Sequence, residues 1–529
     1  MDAAEATVIH NLAATGRMPN YARLLEEGGS GRITGVPGCY EGSVWPTLCT
    51  GMNPGRHGFH WLGQYDRALE RIHWNALDLG TRSKAFWTRL NEAARDRKSV
   101  LCDLPLFPMQ PTEGRVQIAE WGCHDHVYGF ATSPSELRAT ILSKFGPHPL
   151  SIPCERLSGT FEGLRSLRDR LIEGVRRRTE LTLHLLRTND WQLFMQVFSE
   201  SHCAGHHFWH LHDTNHPSFD LRQRTEFGDV IEDVYVEIDA ALGCIRDAMP
   251  RDAWFFVVAT HGMTSSYGYH SLLPEILRRI GFQNISSARE KAGSSSGDSP
   301  LPASLRALQS YWRNLSRHTR ETWKERLGAI HRRASSFVHG APLNDPWGAS
   351  EFRRGNTRIV MVPNGTACSA ITVLAAQGRN EAGARLRIVE EIESILETFR
   401  DADKRPSVQN YVRPEVSFHG SATATLPDLF IQWNPKCLVA VNRGNGETAK
   451  PSMVESSTLG SFEVPDGPSR SGDHIPDGSY VLCGPRAGSH RTCRDASIVD
   501  IAPTICDLLD VAHDDMDGES LVRSGAPDL

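Results

Sequence analysis

Short apolar runs bounded by turn residues alternate with longer amphipathic segments along this chain, and no other feature constrains the fold as much. "WQLFMQVFS" (191–199), "AWFFVVAT" (253–260), "RIVMVP" (358–363), "DLFIQW" (428–433) and "SYVLCG" (479–484) read as buried strands. Helical periodicity marks 3–15, 160–188, 222–248, 379–400 and 499–510. In the last of these Asp500 is the expected N-cap, and Pro503 falls in the first turn, where a missing N–H is tolerated. The alternation predicts an α/β fold.

The 529 residues carry 57 basic and 63 acidic side chains, a net charge of −6, which gives no reason to expect nucleic acid or membrane as a partner. No apolar run is long enough to span a bilayer. The start, "MDAAEATVIHNL", lacks the basic-then-apolar pattern of a signal peptide. The twelve cysteines are scattered without a C-x-x-C pair, which points to reduced thiols and a cytoplasmic protein.

One stretch stands apart. "GSSSGDSP" (293–300) has a linker's composition and leads into 301–333, with eight Lys/Arg against two acidic residues and apolar positions at helical spacing. Two accounts fit it: an amphipathic helix docked on the core with a solvated basic face, or a lid bringing positive charge to an anionic substrate.

The chemistry concentrates in "FSESHCAGHHFWHLHD" (198–213), where His202, His206, His207, His210 and His212 fall within eleven residues. The segment follows the strand 191–199, and ligands bind at the carboxyl ends of strands in open α/β sheets. His202 and His206 are four apart, on one face of a helix. His261 follows the strand 253–260, and His474 lies in the polar loop "SGDHIPDG". Three neutral imidazoles and an open position suit a catalytic zinc.

Read in order, these segments resemble the alkaline phosphatase superfamily, specifically its type I phosphodiesterase/nucleotide pyrophosphatase-like branch. "GRMPNYARLLEEGGSGRITG" (16–35) is similar to the family's opening, and "SVWPTLCTGMNPGRHGF" (43–59) to its nucleophile helix with the "TG-x-x-P-x-x-HG" exit. "SESHCAGHHFWH", "ATHGM", "LPDLFIQW", "SGDHIPDG" and "DIAPTICDLLDV…MDGESL" follow in the family's order. The resemblance implies one catalytic domain over 1–529, a three-layer α/β/α sandwich with a mostly parallel central sheet, and 283–350 as a basic helical insertion or lid.

The resemblance also implies a binuclear metal centre, here departing from the family pattern. The family's first strand ends in a metal-binding Asp, which falls on Asp2, so that strand is expected to be missing from this sequence. Either the start is assigned too far downstream and a leader could have gone with it, or the sheet lacks that strand. The nucleophile, ten residues before the Gly of "TG", falls on Glu41. Glu41 could form an acyl phosphate or bind metal at the helix N-terminus, and Ser43 is the other candidate nucleophile, ahead of Cys39 and Thr47. One metal set then reads His202, His206 and His474, and the other Asp2, Glu41, Thr260 and His261, with Glu200 as a further carboxylate. His207, His210 and His212 are expected around the site or on the surface, and Asp473 either holds an imidazole or shapes a turn.

The function so implied is metal-dependent hydrolysis of phosphate esters, more of diester or pyrophosphate than monoester bonds. The cofactor would be two divalent ions, zinc first and manganese or magnesium next, acting on a small-molecule phosphate ester. Two ions about 4 Å apart can clamp both oxygens of an in-line displacement. The alternatives are a catalytically silent metal-binding relative, or a phosphomutase, sulfatase or phosphonate hydrolase. The formylglycine sulfatase motif "C-x-P-S-R" is absent.

Overall fold

In the computed structural model of this chain, each of the five apolar runs forms a strand within its expected bounds or a residue or two beyond them. The structure describes residues 1–74, 84–93, 97–151, 154, 160–285, 350–374, 381–439, 452–464, 470–485 and 493–522. The expected basic insertion therefore lies outside the described residues except at its two ends.

The strands that frame the site are β1 (Gly29–Thr34), β2 (Ser99–Cys102), β3 (Arg115–Ala119), β4 (Leu193–Gln196), β5 (Phe255–Ala259), β6 (Gly262–Ser265), β7 (Gly472–Ile475) and β8 (Asp477–Cys483). The helices are α1 (Tyr40–Thr50), α2 (Phe161–Thr188), α3 (Glu200–His212), α4 (Val230–Ala248) and α5 (Ile501–Leu508). β2 pairs in parallel with both β3 and β4. β8 runs antiparallel between β1 and β5, which leaves β1 and β5 pointing the same way.

Between the facing edges of β4 and β5 stand Met1 and Asp2, where sequence analysis placed the close of a first strand. The Met1 amine donates to Val258 O at 2.8 Å, and Asp2 N donates to Phe198 O at 2.9 Å. Asp2 is thereby carried to the edge where β4 and β5 end. The runs 358–363 and 428–433 belong elsewhere, in a six-stranded sheet that is antiparallel throughout and that the alternation alone did not separate from the rest.

One helical expectation is corrected and one refined. The segment 222–248 splits into Leu221–Phe227 and α4, because Gly228 turns at φ +71° and Asp229 then caps α4 by accepting from Glu232 N at 3.2 Å. Asp500 stands at the N-cap position of α5, as expected, but its side chain makes no cap bond to that helix. Ser497 caps the 3₁₀ turn Ile498–Asp500 that leads into it, with the Asp500 carboxylate accepting from Ser497 N at 2.8 Å in a capping box.

The amphipathic face of α2 is buried against α3 and α4 through Leu164, Leu167, Leu171 and Val175, and against β2 and β3 through Leu181 and Leu185. One charged residue, Arg178, sits on that buried face. Among the described residues no helix is long and apolar enough to cross a membrane.

Candidate metal centre

α3 starts where β4 ends, and its pitch stacks His202 and His206 one turn apart. Their Nε2 atoms are 2.9 Å apart. The partner of each Nδ1 assigns the tautomers. His202 Nδ1 meets Asp2 Oδ2 at 2.7 Å, and His206 Nδ1 meets the carbonyl of Gly472 at 2.9 Å. Each Nδ1 must carry its proton to make these bonds, so in the neutral rings both Nε2 atoms present lone pairs toward each other. A proton or a cation between them relieves that repulsion. Asp2–His202 is also the carboxylate–imidazole pairing that orients metal-bound histidines.

The β6–β7 ladder brings in the remaining two imidazoles. His474 pairs in register with Met263, one strand position from the turn that carries His261. The His474 ring centroid lies 4.8 Å from that of His202, 4.7 Å from His206 and 4.6 Å from His261. His474 Nδ1 and His261 Nε2 are buried and have no hydrogen-bond partner among the described residues. Burial holds His206 and His474 well below the ordinary histidine value, aided by Arg470 at the first and by His261 at the second. Burial likewise brings His261 down to about 4. Neutral imidazoles are what a metal requires. Burial opposes the charge on Asp2, yet the His202 contact outweighs it and keeps that carboxyl well below the usual range.

The other predicted residues fall apart from this cluster or play different parts. Both oxygens of Asp2 are engaged, one by His202 and the other by Trp45 Nε1 at 3.0 Å, so Asp2 orients the His202 ring. Glu41, in the first turn of α1, accepts from Ala367 N at 3.0 Å. Burial, and then the Asp473 carboxylate, push Glu41 well up, while burial lifts Asp473 to about 6. Asp473 accepts from His474 N at 2.9 Å and from the Thr366 hydroxyl, so it shapes the chain and holds no imidazole. Ser43 is turned to the Phe59 carbonyl at 3.0 Å and to Thr47 at 3.3 Å. Thr260 Oγ1 lies 3.0 Å from His261 Nδ1, orienting that ring. Glu200 is no ligand: its carboxylate takes Arg178 Nε at 3.0 Å and His148 Nε2 at 3.1 Å in a fully buried ion network.

Two residues escaped the sequence. Arg470 Nη1 lies 3.2 Å from His206 Nε2, and its charge acts on Glu41 and Asp473 as well. His124 stacks on His202 at 4.0 Å, and ligand atoms of His124, His202 and His206 all lie within 4.8 Å of one another. "EWGCHDHVYG" carried no spacing that could single out His124. His207 and His210 are buried at 3% and 4% exposure, so neither is a surface residue; His212, half-buried, bonds Asp229 at 2.9 Å.

Gly472 holds β7 tight against α3, since a Cβ there would fall 2.2 Å from Gly205 O. Gly472→Ala should push the strand off the helix and loosen the carbonyl that orients His206. Metal affinity is expected to drop by about 10–100-fold, the usual range for an outer partner of a ligand, in a titration against a competing chelator.

The family its sequence matches gives the class: this chain is an α/β phosphoric ester hydrolase. Residues 1–328 match the model of the type I phosphodiesterase / nucleotide pyrophosphatase family, and the chain belongs to that family. Among curated proteins none matches it in sequence. Solved structures similar to it include murine ectonucleotide pyrophosphatase / phosphodiesterase 5, with 11% identity, TM-score 0.46, and 95% of this chain and 92% of that chain covered. An inactive form of the murine protein in complex with AMP matches at 12% identity and TM-score 0.47, covering 98% and 96%. Phosphonoacetate hydrolase from Sinorhizobium meliloti 1021, in complex with phosphonoformate, matches at 10% and 0.41, covering 96% and 94%. Likeness at this level carries no argument about substrate.

Proposed function

We propose that the chain hydrolyses phosphodiester or pyrophosphate bonds of a small molecule at the imidazole cluster, with divalent ions, zinc first, held by His202, His206, His474 and His261. The observation that carries this is the pair of Nε2 atoms 2.9 Å apart, beside nitrogens of His261 and His474 that have no partner among the described residues. Ions bound there would supply Lewis acidity toward a phosphoryl oxygen and an acidified water.

The chain's own groups do the rest. Asp2 and the Gly472 carbonyl lock the two helix imidazoles in the ligating tautomer. Arg470 sets a guanidinium beside His206, suited to a phosphoryl oxygen. Burial and the Asp473 carboxylate raise Glu41, which suits it to give or take a proton as general acid and base. Water attacks phosphorus directly, because Ser43 is committed to the Phe59 carbonyl and Glu41 stands in the nucleophile position.

The test pairs two variants on a chromogenic aryl phosphodiester. Glu41→Gln should lower kcat by about 10²-fold or more, the ordinary worth of a positioned acid–base group. Ser43→Ala should stay within a few-fold of the parent. The opposite pattern would pass the nucleophile role to Ser43 and sink the direct-water route.

A further inference from the structure

Cys203 and His207 each follow one residue behind His202 and His206, so α3 carries a second i, i+4 pair rotated by about 100° from the first. This second face meets His124 and Cys154. His124 Nδ1 lies 3.2 Å from Cys203 Sγ and 3.4 Å from Cys154 Sγ, and His207 Nε2 lies 3.2 Å from Cys154 Sγ. Exposures are 8% for His124, 2% for Cys154, 1% for Cys203 and 3% for His207. No disulfide joins the two cysteines.

Two sulfurs and two ring nitrogens form one of the sets that close a tetrahedral zinc site. With metal–sulfur and metal–nitrogen bonds of the usual length, neighbouring ligand atoms stand about 3.5 Å apart. The His124–Cys203, His124–Cys154 and His207–Cys154 separations come close to that; ligand atoms of His124, Cys154 and Cys203 all lie within 4.8 Å of one another, and His207 joins them through Cys154. No carboxylate takes part, so the set favours a thiophilic ion over magnesium or manganese. All four positions are protein groups and all are buried, as in sites that hold structure together and leave no place for substrate.

We propose that His124, Cys154, Cys203 and His207 bind one zinc ion in a closed structural site, distinct from the imidazole centre described above. The ion clamps α3 to the segment carrying His124 and to Cys154. One helix then serves both centres, and the stacking of His124 on His202 couples the clamp to the neighbouring imidazoles. The proposal does not rest on the hydrolytic activity.

The test uses the full chain reconstituted with cobalt(II), read by the near-ultraviolet thiolate-to-cobalt charge-transfer band, with zinc counted by mass spectrometry on the native protein. The parent should show the band. Cys154→Ser and Cys203→Ser should each lose it together with one equivalent of zinc, while His474→Ala should keep it. No band in the reduced parent, or an undiminished band in Cys154→Ser, would overturn the proposal. Should the serine variants fail to fold, alkylation of the parent needs no substitution. Exposed Cys244 and Cys493 should react at once, and Cys154 and Cys203 only when a chelator releases zinc. Zinc release that leaves both unreactive, or a mass showing them oxidised to a disulfide, would equally overturn it.

Discussion

Alanine at His206 or at His474 is expected to reduce phosphodiester hydrolysis by well over 10²-fold and to lower the bound metal. Mutating only an outer partner of a ligand costs about 10–100-fold, so loss of the imidazole itself should exceed that. The two substitutions differ in their effect on the metal-free protein. His206 and His202 bring two nitrogens within 2.9 Å, a contact that, with both rings neutral, opposes folding when no cation lies between them. Under chelation, His206→Ala should therefore unfold no more easily than the parent. With zinc added, the parent should gain more than the variant, which keeps only the cysteine-containing site: an ion at 100 times its dissociation constant contributes about 2.7 kcal/mol. Thermal melts of both proteins, with chelator and with zinc, check this alongside metal content. Equal turnover, or equal stabilisation by zinc in the variant, would remove the assignment.

The largest loss of stability is expected at Arg178. Its guanidinium donates to Asp103 at 2.6 Å, to Glu200 at 3.0 Å and to the Gly122 carbonyl at 2.6 Å, and none of the three side chains sees solvent. Asp103 in turn accepts from Trp121 N and Gly122 N at 2.8 and 2.9 Å, which sets the turn leading to His124. Arg178→Met keeps the apolar bulk but strands two buried carboxylates, a change that costs about 3–5 kcal/mol. Burial works against the charge on Glu200, yet Arg178 outweighs it and holds the carboxyl below its ordinary value. A depressed carboxyl adds stability above its unfolded pKa, about 4.3, and that stability disappears as pH falls through the lower folded value. In Arg178→Met the sign reverses, because burial alone pushes Glu200 up and protonation relieves it. The gap between variant and parent should thus be widest at neutral pH and narrow toward pH 5, as denaturant melts at the two pH values would show. A gap that does not change with pH would mean Arg178 acts by packing alone.

Arg178 also shows where periodicity carries information and where it stops. It interrupts the apolar stripe of α2 between Val175 and Leu181, so a buried cation was legible in the helix pattern. Its partner was not, and Glu200 could be placed among the metal ligands because a strand-end carboxylate looks the same in sequence whichever way it turns. Likewise Ser43 and Glu41 lie two residues apart on α1, and only packing against the Phe59 carbonyl and Ala367 N separates their roles.

The sequence by itself determined the α/β class, the five strands, the i, i+4 placement of His202 and His206 after a strand, and the family that its ordered motifs resemble. These are local properties: a period of two or of 3.6 residues follows from the backbone and needs no distant contact. Tertiary structure alone decided how His474 reaches His206, a grouping the resemblance implied, that Arg470 joins them, and that His124 and Cys154 meet the second face of α3. Those partners lie tens to hundreds of residues apart, and no spacing rule encodes a meeting that depends on how whole elements pack.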